Sequence, residues 1–209
     1  MSSIRWFLVG VLLWPAIAFS QSTPSPANWL DDLTLGGYVI VLRHGATTSD
    51  QADADPMSKP AKNQNAPGER QLSDQGRTQA KAIGAAMRRL KIPVGLVMTS
   101  PLQRAVDTGT LLGFGEVTTS LDLAESGSSV SPQENTRRAE SLRKLVASQS
   151  PVDNNLVIVT HKPNLSDAFG EGWSDVHEGE ASVFESDNAG GYKLIARIRA
   201  DEWRAMLEN

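Results

Sequence analysis

Three short runs carry residue types able to do chemistry together: Arg43, His44 and Gly45; Ser100, Pro101, Leu102, Gln103 and Arg104; and Thr160 with His161. An arginine offers a planar fork of donors that matches a phosphate or carboxylate. A histidine offers a nucleophile or a general base near neutral pH. A basic pair at the tip of a strand can equally be solvated, so the residue types alone leave both readings open. Position has to decide between them.

The elements around these runs supply the position. Tyr38 is followed by Val39, Ile40, Val41 and Leu42 without a polar interruption, between Gly36–Gly37 and Gly45. Such a run predicts a fully buried central strand. Residues 94–98 and 156–159 repeat the pattern, and each of the three chemical runs begins where one of these strands ends. Ligands of open α/β sheets bind at the carboxyl ends of strands.

Ser73 caps a predicted helix reaching about Leu90, with Ala80, Ile83, Gly84, Met87 and Leu90 on one face. Strand, helix and strand predict a βαβ unit and a parallel strand pair. Ser100 as N-cap, Pro101 as first residue and Gln103 at the third position predict a capping box, hence a helix starting at the second strand's end. Its free N–H groups favour an anion. Arg104 on that first turn opposes the helix dipole, which a bound phosphate would offset and solvation would also tolerate.

Residues 117–123 read as a short strand leading to Glu125 in a Ser/Gly-rich segment. That carboxylate can protonate a leaving group, or be a solvated loop residue. Ser131, Pro132 and Glu134 predict a second capping box and a helix through Ala139, Leu142, Leu145 and Val146. Asn164 is predicted to cap a short helix toward Phe169, and His177 reads as a solvated loop residue. Residues 182–185 and 192–198 predict a β-hairpin, followed by a terminal helix over 201–207 that packs through Trp203 and Leu207.

Bulk properties exclude some functions. The chain has 209 residues and a formal net charge of −4, which argues against non-specific nucleic-acid binding. It has no cysteine, so disulfides, thiolate chemistry and cysteine metal sites are excluded. Three histidines, His44, His161 and His177, argue against a histidine-rich metal site. Arg5, an apolar stretch over 6–19 and small residues Ala18 and Ser20 predict a secretory signal over residues 1–20, cleaved before Gln21. That stretch is short for a membrane span and contains Pro15, so a periplasmic or secreted protein without stable membrane insertion is expected. Residues 21–36 read as a linker and short helix, and 37–209 as one domain. The polar stretch 46–71 reads as a loop bordering the site, with Arg70 at its far end taken as solvated.

With the three runs in this order, the chain resembles the histidine phosphatase superfamily, the phosphoglycerate-mutase-like fold, over roughly residues 37–198. The resemblance implies an α/β three-layer sandwich: a central, mostly parallel sheet, helices on both faces and the C-terminal hairpin. It implies His44 as the residue phosphorylated in turnover, with Arg43, Arg104 and His161 completing a phosphate pocket. Glu125 is the best match to the family's acid/base, with Glu178 and Glu180 as competitors. Thr160 stands where the family commonly has glycine. No cofactor and no metal are implied. The resemblance extends to an exported bacterial branch that includes lipopolysaccharide core heptose-phosphate phosphatases, so a small phosphorylated molecule or an envelope glycan phosphate is the expected substrate. A phosphohistidine protein phosphatase and a non-catalytic binder of phosphorylated glycans are the alternatives.

Overall fold

The computed structural model of the chain describes residues 28–48, 70–148, 153–187 and 189–208. The predicted signal segment and most of the 46–71 loop lie outside them. Chain order is α1 (Asn28–Leu33), β1 (Tyr38–Arg43), α2 (Asp74–Arg89), β2 (Val94–Thr99), α3 (Gln103–Leu112), β3 (Val117–Thr119), α4 (Pro132–Ala147), β4 (Asn155–Thr160), α5 (Lys162–Phe169), β5 (Ala181–Ser186), β6 (Tyr192–Ile198) and α6 (Ala200–Glu208). No described helix is long and apolar enough to cross a membrane.

The strands form one sheet in the order β3-β2-β4-β1-β5-β6. β1, β2, β3 and β4 are mutually parallel, β5 pairs antiparallel with β1, and β6 pairs antiparallel with β5 to close the sheet. The sheet is thus mostly parallel, as expected. One expectation is corrected: β1 and β2 are parallel but not paired, because β4 lies between them. β4 is buried at every position, and the central place belongs to it. This insertion matters for the site. Arg43 faces Thr160 and Thr99 faces Val159, so three strand ends finish level and side by side.

Successive β1 side chains alternate between two cores. Ile40 and Leu42 pack with Ile83 and Met87 of α2, Leu112 of α3 and Trp203 of α6. Val39 and Val41 pack with Leu142 and Val146 of α4 and Leu165 of α5. Helices therefore cover both faces, each burying the apolar stripe its sequence carries. Backbones touch where side chains are absent. A Cβ on Gly84 would lie 2.0 Å from the Leu112 carbonyl oxygen, so α2 and α3 meet directly. A Cβ on Gly76 would lie 2.1 Å from the Ala46 carbonyl oxygen, which seats the start of α2 against the turn after β1.

Local signals held in part. Ser73 and Ser131 cap α2 and α4 through Gly76 N–H and Glu134 N–H. β3 is shorter than expected, and Leu121–Leu123 form a 3₁₀ turn capped by Ser120. Ser100 does not cap α3. That helix begins at Gln103, with Leu102 as N-cap, while the Ser100 hydroxyl accepts from Leu102 N–H. Asn164 is likewise not a cap; α5 starts directly after His161, its N-cap residue.

Candidate active site

Leaving the sheet together, β1 and β4 place His44 and His161 with ring centroids 5.2 Å apart. Both rings are buried. His44 N–H still continues the ladder by donating to the Thr160 carbonyl at 3.0 Å. Its Nδ1 lies 2.8 Å from the Gly45 carbonyl oxygen. A carbonyl only accepts, so Nδ1 carries the proton and Nε2 keeps its lone pair. Arg104 reaches that lone pair, with Nε 3.3 Å from Nε2. Gly45 N–H donates to the Thr108 hydroxyl, which itself donates to the Arg104 carbonyl one turn back, so α3 is tied to the β1 turn through Thr108 as well as through Arg104.

His161 is held differently. Its Nε2 lies 2.7 Å from the Ser100 hydroxyl at the end of β2, and its buried Nδ1 makes no hydrogen bond among the described residues. Burial, and then the Arg104 cation, push both imidazoles well below the ordinary histidine value. Both are neutral at pH 7, the state in which His44 Nε2 can attack and His161 can donate one hydrogen bond.

Arg43 donates to the Val176 carbonyl at 2.8 Å and pairs with Glu178 at 3.4 Å. Burial pulls its guanidinium down, and Glu178 opposes that. Glu178 also accepts from the Thr47 hydroxyl at 3.0 Å. Fully buried Arg104 pairs with Glu125 at 2.7 Å, and Arg70 stands 3.7 Å from the same carboxylate. Arg43, His44, Arg104, His161 and Glu125 are therefore brought into one cluster, with Glu178 at its Arg43 side. Glu180 is otherwise engaged: it is buried, paired with Arg197 at 2.5 Å, and accepts from His177 N–H at 3.0 Å. His177 itself is exposed, as expected.

Sequence reasoning missed four supports. Ser100, whose sequence position suggests a cap, instead fixes His161. Asn164, with the same local appearance, instead bonds the Glu125 segment. Thr108 gave no signal. Arg138 did leave one: it is a cation one turn before Leu142 on the apolar face of α4, and it is fully buried.

A family model described as histidine phosphatase superfamily (branch 1) matches residues 39–129, the span from β1 to the Glu125 segment. The match covers less than half of the chain. Solved structures of phosphatases share the fold. The protein histidine phosphatase SixA complexed with tungstate superposes with a TM-score of 0.55 at 15% identity, over 78% of this chain and 97% of that one. A mycobacterial glucosyl-3-phosphoglycerate phosphatase with inorganic phosphate gives 0.56 at 18%, over 79% and 99%. A phosphoserine phosphatase mutant from Entamoeba histolytica with phosphoserine gives 0.54 at 14%, over 79% and 98%. At these identities the likeness is one of fold. No curated protein matches the chain.

Proposed function

We propose that this superfamily chain is a phosphomonoesterase that works through a phosphohistidine on His44. The observation that carries the reading is the His44 ring itself: neutral, with Nδ1 tied to the Gly45 carbonyl and Nε2 left with a lone pair beside Arg104. In the first step Nε2 attacks phosphorus, the P–O bond to the leaving group breaks, and Glu125 supplies the proton that the departing oxygen takes up. In the second step water attacks the phosphohistidine while Glu125 takes its proton, and His44 is released with inorganic phosphate. Arg43, Arg104 and His161, whose Nδ1 carries the proton when Nε2 accepts from the Ser100 hydroxyl, offset charge on the non-reacting oxygens, so positioning and electrostatics supply most of the rate. No step draws on a metal or cofactor.

Glu125 is the acid/base of this reading because it sits on Arg104, whereas Glu180 is spent on Arg197 and His177. Glu178, on Arg43 and Thr47, serves to orient that arginine. The N-terminal sequence supports an exported protein, and the substrate we favour is a phosphorylated sugar or envelope glycan in the periplasm. The fold shared with SixA supports a phosphohistidine protein as the second substrate class.

The test is phosphate release by the purified mature chain, with EDTA present. His44→Ala should lower kcat on p-nitrophenyl phosphate by about 10⁴-fold or more. Acid-labile, base-stable labelling of wild type by ³²P substrate, absent in His44→Ala, identifies the intermediate. A variant retaining more than about a hundredth of wild-type turnover would sink the mechanism. Phosphosugars against a phosphohistidine peptide then separate the two substrate classes.

A further inference from the structure

Glu125 lies on a segment with no regular secondary structure, yet that segment is bracketed on every side by side chains. The Thr160 hydroxyl donates to the Leu123 carbonyl at 3.0 Å. The Asn164 amide donates to the Ala124 carbonyl at 2.8 Å and accepts from Ser126 N–H at 3.0 Å. Arg138 donates to the carbonyl of Glu125 itself at 2.6 Å. Asn135 bonds both N–H and carbonyl of Gly127, at 3.1 and 2.9 Å. The two peptide groups flanking Glu125 are thus held by one amide, and its own carbonyl by one guanidinium.

Both side chains are buried. Asn164 is buried at the start of α5, one helical turn after His161. Arg138 is fully buried, a placement arginine adopts only when paired. Its partner is Glu134, at 2.9 Å on the same helix.

We infer that Asn164 and Arg138 are positioning residues, which hold the Glu125 backbone so that its carboxyl stays over the phosphate bound between His44 and Arg104. The inference rests on the reading of Glu125 as acid/base. Asn164 also couples the two parts of the reaction, because one turn of α5 carries both the His161 pocket group and the amide that fixes the proton donor. A proton donor must lie within hydrogen-bond reach of the leaving oxygen, and a displacement near 1 Å lowers the rate about a hundredfold.

The test uses substrates that need the acid to different degrees. p-Nitrophenolate leaves without help, whereas the alkoxide of glycerol 2-phosphate needs a proton. Asn164→Asp keeps the acceptor for Ser126 N–H but turns a second acceptor toward the Ala124 carbonyl. Arg138→Lys keeps the charge but cannot span Glu134 and Glu125. Each should lower kcat/KM on glycerol 2-phosphate by about ten- to a hundredfold, and on p-nitrophenyl phosphate by less than about threefold. Tungstate affinity should stay unchanged. Combined with Glu125→Gln, either change should add nothing further on glycerol 2-phosphate.

Equal losses on both esters, or losses that multiply with Glu125→Gln, would overturn the positioning role. If Glu125→Gln alone shows no leaving-group dependence, the acid/base reading fails, and the inference with it. Should Asn164→Asp fail to fold, Arg138→Lys carries the same expectation.

Discussion

The two halves of this site are built by different means. The pocket half, Arg43, His44 and His161, stands on backbone that the sheet has already fixed. β1 and β4 are in register, and the residue after each strand inherits its place from the ladder. The proton-transfer half, Glu125, stands on a segment whose backbone is bonded by Thr160, Asn135, Arg138 and Asn164 from β4, α4 and α5. A sheet edge fixes position through bonds any sequence can make. A side-chain bracket fixes it through a few residues that cannot be exchanged. Variants should therefore divide by substrate: pocket changes weaken every ester alike, and bracket changes weaken only those that need a proton.

Arg104 gives the largest expected effect on the pocket side among residues other than His44. It is fully buried and spans His44 and Glu125 with one planar fork. A lysine has one point charge on a flexible stem and reaches only one of them. Arg104→Lys should lower kcat/KM by about 10²- to 10³-fold on both p-nitrophenyl phosphate and glycerol 2-phosphate. A leaving-group split of the kind expected for Glu125→Gln would place Arg104 with the acid rather than with the phosphate.

Ser100 should give a smaller one. Its hydroxyl holds His161 Nε2 and so leaves Nδ1 as the free face of a neutral ring. Ser100→Ala removes one hydrogen bond and lets the ring turn or change tautomer. Tungstate affinity, measured by calorimetry, should fall about five- to tenfold. Ser100→Thr, which keeps the hydroxyl, should restore it. Failure of threonine to rescue would mean that Ser100 acts through the 100–102 turn rather than through His161.

The same division explains what was legible in the sequence. Arg43, His44 and His161 were found because a buried strand is an unbroken apolar run, and the residue after it is exposed to the site by topology alone. Arg104 was found through a capping argument whose details were wrong, since the helix starts two residues later than Ser100 and Pro101 implied. Its place survived because the chain has only a short turn in which to leave β2. Of the bracket only Arg138 leaves a sign, as a cation on the apolar face of α4, and nothing local names what it holds. Asn164 has the local appearance of a helix cap, and only the fold shows that its amide faces the backbone on either side of Glu125. The β1–β4–β2 order was missed for a similar reason. Chain order makes β1 and β2 look like neighbours, and nothing local says that a later strand inserts between them.

Acid titration separates the two halves without any change in substrate. His44 and His161 are held well below the ordinary value of 6.5 in the folded state, by burial and then by Arg104. Unfolding restores that value. As pH falls below 6.5 the unfolded chain therefore binds up to two protons that the folded chain refuses, and the loss of stability steepens toward about 1.4 kcal/mol per pH unit for each histidine. Above 6.5 these two groups contribute no slope. The bracket titrates in a lower range: Arg137, with Arg138, pulls the Glu134 carboxyl from 4.5 to about 2, so its contribution is fully present above 4.5 and is lost progressively as pH falls from there through about 2. Urea unfolding between pH 6.5 and 5.5 should accordingly show the histidine slope with the bracket intact. His161→Asn should flatten that slope by about three quarters of a proton, roughly 1 kcal/mol over this pH unit, whatever it does to absolute stability. An unchanged slope would mean that His161 takes up its proton in the folded protein as readily as in the unfolded chain, so that it becomes a second cation beside His44 as pH falls through this range.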